Sequence, residues 1–222
     1  MKSNSGFSLT ELAIVLAIFA LITSAIVIAA AHARANAKLN RGINELAEIV
    51  NNVGANAARF ALPLDKNPNF VNKCISFTDD PATRADNATN GVFPDGMAVG
   101  KMVRDGGVNR YVPPVYLLTP WSIGVNQNDV GVALCSENPR LYEKDDRTRA
   151  GIIIEYKNIP GSEVCTNFVM RSAELIAGTR LSFMSVNESD NLIDNGEVSL
   201  NKVAVACDRE KNNIFWFFRL TY

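Results

Sequence analysis

One histidine, His32, stands in the 222 residues, and the chain has no Cys-x-x-Cys pair and no phosphate-binding glycine loop. With so little to place beside a nucleophile, no Ser/His/Asp or Cys/His arrangement can be assembled, and no Cys/His spacing of the zinc type occurs. The expectation is a protein with no catalytic residues, no metal and no cofactor. Basic runs are also missing. A net charge of −1 leaves no electrostatic footprint for nucleic acid, which is therefore unsupported as a partner. Two further absences shape the N-terminal half: there is no proline before Pro63, and no charge from Leu12 to Ala31.

That uncharged stretch, LAIVLAIFALITSAIVIAAA, has only Thr23 and Ser24 as polar interruptions. Twenty residues at about 1.5 Å rise span about 30 Å, the hydrocarbon thickness of a bilayer. As a signal peptide it would be cut at the small-x-small site Ala31-His32-Ala33, leaving a secreted periplasmic binding domain that starts at Arg34. Against this stand a run longer than the roughly 7 to 15 residues of a signal core, and Glu11, which offsets Lys2 in the leader. A bitopic membrane-anchored enzyme is a third reading, one that lacks a catalytic constellation.

Beyond the run, apolar residues recur at Leu39, Ile43, Leu46, Val50, Val53, Ala57 and Phe60, in steps of four and three. This spacing predicts that the helix continues with one apolar stripe, although Gly42 and Gly54 each cost about 1 kcal/mol relative to Ala. A helix over residues 7 to 60 would be a rod of roughly 80 Å, and a short coiled coil fits the same spacing. Eight prolines between Pro63 and Pro139 speak against long regular elements, leaving short strands at Val112–Leu118 and Val130–Cys135. In the C-terminal third, 151–156 reads as a buried strand, Ser162 as the cap of a helix, and 180–186 as a strand. Val198–Cys207 and Ile214–Tyr222 read as a hairpin around the polar turn 208–213, with Phe215 to Phe218 central and buried on both faces. The acidic loop 187–197 reads as solvated, since its spacing does not match an EF-hand.

The four cysteines, Cys74, Cys135, Cys165 and Cys207, form an even set after the apolar run, which favours disulfides and an oxidising compartment. Four cysteines allow three connectivities. The positive-inside count points the other way: Lys2 precedes the run, whereas Arg34, Lys38 and Arg41 follow it, which would leave the large domain cytoplasmic.

Gly6-Phe7-Ser8-Leu9-Thr10-Glu11-Leu12 resembles the processing site of type IV pilins and pseudopilins: glycine, phenylalanine, then glutamate four residues on, running straight into the apolar stretch. The resemblance implies cleavage by a prepilin peptidase between Gly6 and Phe7, N-methylation of Phe7, and retention of the helix. It also implies that Glu11, a carboxylate costly at the edge of hydrocarbon, meets the terminal amine of a neighbouring subunit during assembly. The C-terminal layout, with Ile159-Pro160-Gly161-Ser162-Glu163-Val164-Cys165 opening a helix and Cys207 late in the chain, resembles type IVb pilins of the toxin-coregulated, bundle-forming and conjugative thin-pilus kinds. A six-residue leader before Phe resembles instead type IVa pilins or pseudopilins.

The implied fold class is α+β, the type IV pilin fold, with a long N-terminal helix packed on a C-terminal antiparallel sheet. Its expected parts are a leader over 1–6, a membrane and polymerisation helix over 7–33, and an amphipathic half over 34–61. A loop-rich connection over 62–150 and a sheet with a disulfide-bounded region over 151–222 complete it. The same resemblance implies the disulfides Cys165–Cys207 and, with it, Cys74–Cys135. Implied partners are other copies in a helical homopolymer, the prepilin peptidase, an inner-membrane assembly platform, and membrane lipid before assembly. The implied location is the bacterial inner membrane with a periplasmic C-terminal domain, then an extracellular pilus. A minor pilin or a type II secretion pseudopilin is the alternative within the resemblance.

Overall fold

The computed structural model describes residues 8–66, 74–124, 127–135, 151–176, 181–194 and 197–219. The chain divides into two compact units, Met1–Asn40 and Arg41–Tyr222. Helix α1 spans Leu9–Lys66 and contributes to both.

In the first unit every residue from Ser8 to Lys38 is exposed. Leu9, Phe19 and Leu21 are among many large apolar side chains left open. A helix that is apolar on all sides and exposed along that length needs lipid or other protein around it. The two polar interruptions do not weaken it. Thr23 Oγ1 donates to the Phe19 carbonyl at 2.6 Å and Ser24 Oγ to the Ala20 carbonyl at 2.8 Å, so both hydroxyls are satisfied within the helix.

The second unit is built on a five-stranded antiparallel sheet in the order β1-β4-β5-β9-β6, where β1 is Cys74–Ser76, β4 Val130–Cys135, β5 Gly151–Pro160, β9 Lys211–Arg219 and β6 Leu181–Val186. One face carries Ile152, Ile154, Tyr156 and Trp216; the Tyr156 and Trp216 rings meet each other and Phe168 of helix α3 (Ser162–Ile176), and Phe168 meets Trp121, in stacked and edge-on contacts 4.8 to 5.7 Å apart. The other face carries Cys135, Ile153, Phe183, Phe215 and Phe217 in a second buried cluster. Because β9 lies between β5 and β6 with both faces covered, Phe215 to Phe218 are all buried, and an unbroken apolar run rather than alternation is what that position requires. Burial pushes the Tyr156 hydroxyl well above its ordinary range, with the Glu45 charge adding to the shift, so the ring stays neutral at physiological pH.

From Arg41 on, α1 buries Ile43, Leu46, Ile49, Val50 and Val53. Ile49 widens the expected stripe by a second row, as a helix facing a core rather than a coiled-coil partner requires. The side chains of Ala57 and Phe60 lie outside the described residues. The two glycines of the stripe differ. A Cβ on Gly42 would stand 2.8 Å from the Trp121 ring and 3.3 Å from Phe168, whereas Gly54 has nothing within 4 Å. Gly42 is thus the contact that lets the helix approach the aromatic cluster. Gly54→Ala is expected to raise stability by about 1 kcal/mol through helix propensity, and Gly42→Ala to lower it by about 1 to 2 kcal/mol, overpacking outweighing the same gain. Thermal midpoints moving in opposite directions would show it.

Three expectations are corrected. The stretch 62–150 is not short of regular structure: it contains helix α2 (Pro81–Thr89) and a separate two-stranded ribbon of β2 (Ala98–Asp105) and β3 (Val108–Leu117). Prolines are tolerated there because the register jumps from Gly100↔Val115 to Lys101↔Val112, so Pro113 and Pro114, which have no N–H, fall in a bulge that the ladder skips. Pro81 opens α2 after Asp80, whose carboxylate accepts from the Ala82 and Thr83 N–H groups; the bond from the Thr83 hydroxyl, and after it these backbone bonds, hold its pKa below the usual range.

The hairpin expected around 208–213 does not form either. Leu200–Ala206 is helix α4, and β9 pairs with β5 and β6. In a strand, Val203, Val205 and Cys207 would share a face. The structure buries Val203 and Cys207, four apart, and leaves Val205 77% exposed. Ser162 is likewise not the cap of α3: the Cys165 N–H bonds to the Gly161 carbonyl at 3.2 Å, which puts Gly161, at φ +56°, in the cap position.

Candidate assembly interface

Gly6 and Phe7 lie outside the described residues, which begin at Ser8. There the helix opens with a reciprocal cap. The Ser8 N–H donates to a Glu11 carboxylate oxygen at 2.8 Å, and the Glu11 N–H donates to Ser8 Oγ at 3.2 Å. Two donors that a helix N-terminus leaves without partners are thereby satisfied. Ser-x-x-Glu ahead of an apolar run is the sequence signature of this box, and Ser8 was legible as a site residue on that ground. Glu11 therefore has a local partner within its own chain, in addition to the role that the motif implies for it. After it come the exposed apolar residues, Leu12 to Ile28, a surface chemically suited to bilayer or to other copies of itself.

This helix is the one described segment long and apolar enough to cross a membrane. His32 lies past the apolar run, exposed on the same helix.

In the second unit, two disulfides are formed, Cys165–Cys207 and Cys74–Cys135, with Cα separations of 5.7 and 4.0 Å. The first ties α3 to the end of α4. The second staples the edge strand β1 to β4, whose Cys74↔Cys135 pair is also a register pair. Replacing Cys165 and Cys207 together by serine is expected to cost about 3 to 4 kcal/mol, since 42 positions separate them and the unfolded chain loses a loop of that size. Urea unfolding of the detergent-held chain measures it.

An open groove of about 430 Å³ lies against β1, β4 and β5. Its Arg84 is committed to carbonyl oxygens of Val115, Thr78 and Asp79, and its Lys157 pairs with Glu155 at 3.6 Å, so these charges serve the fold. Among the described residues no group of three or more His, Cys, Asp or Glu side chains could hold a metal ion, and the 187–197 loop forms instead a turn at Asn187 and Glu188 and the two-residue strands β7 (Ile193–Asp194) and β8 (Glu197–Val198).

A long N-terminal helix followed by antiparallel sheets is an α+β layout consistent with a type IV pilin fold. Residues 1–27 match the family model of the prokaryotic N-terminal methylation motif, the motif of type IV prepilin-like chains. No curated protein and no solved structure matches the chain. The motif supports a pilin-like or pseudopilin substrate of prepilin peptidase, and with the apolar helix it fits membrane anchoring before assembly and a structural, non-enzymatic protein.

Proposed function

We propose that this chain is a structural subunit of a type IV pilus, of the type IVb-like kind, which polymerises through its N-terminal helix after prepilin peptidase processing. The observation that carries the reading is the methylation motif at residues 1–27, which takes in the start of helix α1, whose stretch from Leu12 to Ala31 is exposed and apolar on all sides. In this reading the peptidase cuts between Gly6 and Phe7 and methylates the Phe7 amine. The chain stays in the inner membrane with its second unit in the periplasm, where disulfides are stable. The assembly platform then lifts it into an extracellular fibre. The same helix surface is covered first by lipid and then by the helices of other copies, so the transfer exchanges one apolar environment for another. Glu11 gives the exchange a direction: its carboxylate reaches the free amine of a neighbouring Phe7 and fixes the axial register.

Intact mass of the protein from its native membrane or sheared surface fraction tests the processing. A chain that starts at N-methylated Phe7 and is lighter by four hydrogens, for the two disulfides, is expected. A chain that starts at Arg34 would end the filament reading and leave a secreted domain.

A further inference from the structure

We propose that the Cys74–Cys135 disulfide is a site of thiol–disulfide exchange: a thiolate carried by another molecule attacks Cys74 Sγ from the open groove, releases Cys135 and unclasps β1 from β4, while Cys165–Cys207 stays closed. The inference stands on the second unit alone and does not depend on the polymer reading above.

The two disulfides differ in what surrounds them. Cys165 and Cys207 are both fully buried where they join α3 to the end of α4. Cys135 is fully buried as well, in the apolar cluster with Ile153, Phe183, Phe215 and Phe217, but its partner Cys74 is exposed. Strand β1, which carries Cys74, is three residues long and forms one edge of the sheet. The groove runs beside it, lined by Cys74, Ser76, Ala133 and Ile153 among others. The register Ser76↔Ala133↔Ile153 puts these three on one face of the sheet, and Cys74, two positions from Ser76, shares that face. Arg84 and Lys157 stand in the lining against Asp79 and Glu155, so an incoming thiolate meets no excess of negative charge there. An exposed disulfide is the labile kind, whereas one closed inside the fold resists the thiols that would reduce it.

Burial also decides which sulfur is attacked, since Cys74 is open to a partner and Cys135 is not. A new S–S bond forms to Cys74 as the Cys74–Cys135 bond breaks, and its electron pair leaves on the Cys135 sulfur, which takes up a proton. The second thiolate of a dithiol partner then attacks the partner's own sulfur in the mixed disulfide and releases Cys74, which is protonated in turn. Two electrons have passed to the protein, and the partner leaves as a disulfide. The fold survives the step. The Phe77 N–H donates to the Val132 carbonyl at 2.9 Å, and facing residues of an antiparallel pair alternate between bonded and non-bonded, so Cys74↔Cys135, three positions along, is a pair without ladder bonds. Opening it removes none of the hydrogen bonds between β1 and β4. Arg84 still joins the Val115 carbonyl to that of Thr78. What goes is the covalent clasp on a loop of 61 positions that holds α2 and the β2–β3 ribbon. Strand β1, left with the bonds of a three-residue ladder, is then free to part from β4 and uncover a new sheet edge.

The test is graded dithiothreitol on the folded, detergent-held chain, with the thiols it frees blocked by iodoacetamide and located by peptide mass. Alkylation of Cys74 and Cys135 is expected at a dithiothreitol concentration at least about tenfold below the one that opens Cys165–Cys207, with the thermal transition of the second unit still present. A brief pulse of glutathione, a monothiol, should leave its adduct on Cys74 and not on Cys135. Opening of both disulfides over one concentration range, or of Cys165–Cys207 first, overturns the proposal. So does reduction of Cys74–Cys135 only as the unit unfolds. A glutathione adduct on Cys135, on both sulfurs alike or on neither overturns Cys74 as the point of attack. None of these readouts involves fibre, so their failure leaves the polymer reading standing.

Discussion

Glu11→Leu is expected to leave the subunit processed and in the membrane while reducing surface fibre by at least about a hundredfold, because breaking a buried charge pair typically costs about 3 to 5 kcal/mol. The structure makes a sharper experiment available. Glu11 closes a capping box with Ser8, so a leucine removes a helix cap as well as a charge. Glutamine separates the two, since at this position its carbonyl oxygen can still accept the Ser8 N–H but carries no charge to meet an amine. Glu11→Gln should therefore assemble as poorly as Glu11→Leu. Fibre near the wild-type level from Glu11→Gln, alongside loss from Glu11→Leu, would mean that the local cap is what assembly needs and would sink the pairing with Phe7. Ser8→Ala tests the cap from the other side. It should lower the helicity of the first turn by an amount worth about 1 kcal/mol and leave most fibre intact. Quantifying sheared fibre beside the processed subunit in the membrane measures all three.

Gly151→Ala is expected to be the most damaging single methyl group in the second unit. A Cβ there would press into the Phe217 ring and stand 2.6 Å from the Phe218 carbonyl oxygen. Backbone cannot swing aside as a side-chain tip can. Gly151 pairs with Cys135 on one side and Arg219 on the other, so the strand cannot shift without breaking register with both β4 and β9. A loss of about 3 kcal/mol or more follows, equivalent to a fall of about 6 to 12 °C in thermal midpoint for a unit of this size. Gly54→Ala, which adds the same methyl group in open space, is the control and should move the midpoint the other way. A Gly151→Ala protein that melts with the wild type would mean that β5 and β9 are spaced more widely at this end than the structure has them.

Where the local pattern and the burial requirement agree, the sequence could be read directly. The apolar run from Leu12 to Ala31 has one physical solution at its length, a helix in need of an apolar surround, and the structure leaves it exposed throughout. The stripe through Ile43, Leu46, Val50 and Val53 is buried as its period demands. Phe215 to Phe218 lacked alternation because β9 has a covered face on each side. The readings that failed did so where two structures share one local pattern. Val203-Ala204-Val205 alternates like a strand, yet only the spacing of Val203 to Cys207 is used, because the disulfide to Cys165 turns that pair toward α3. Prolines 113 and 114 looked like loop because their tolerance depends on a bulge set by the partner strand at Gly100 and Lys101.

By itself, then, the sequence determined the membrane-length helix, the N-terminal methylation motif over residues 1–27, and the apolar faces that call for a sheet. These are properties of composition and of neighbours within a few positions, which a linear chain carries openly. Only the tertiary structure decided what the glycines at 42 and 151 are for, since each answers to a ring or carbonyl far away in sequence. It likewise decided that β9 stands between β5 and β6, because the strand order β1-β4-β5-β9-β6 is fixed by long-range pairing and by no local signal.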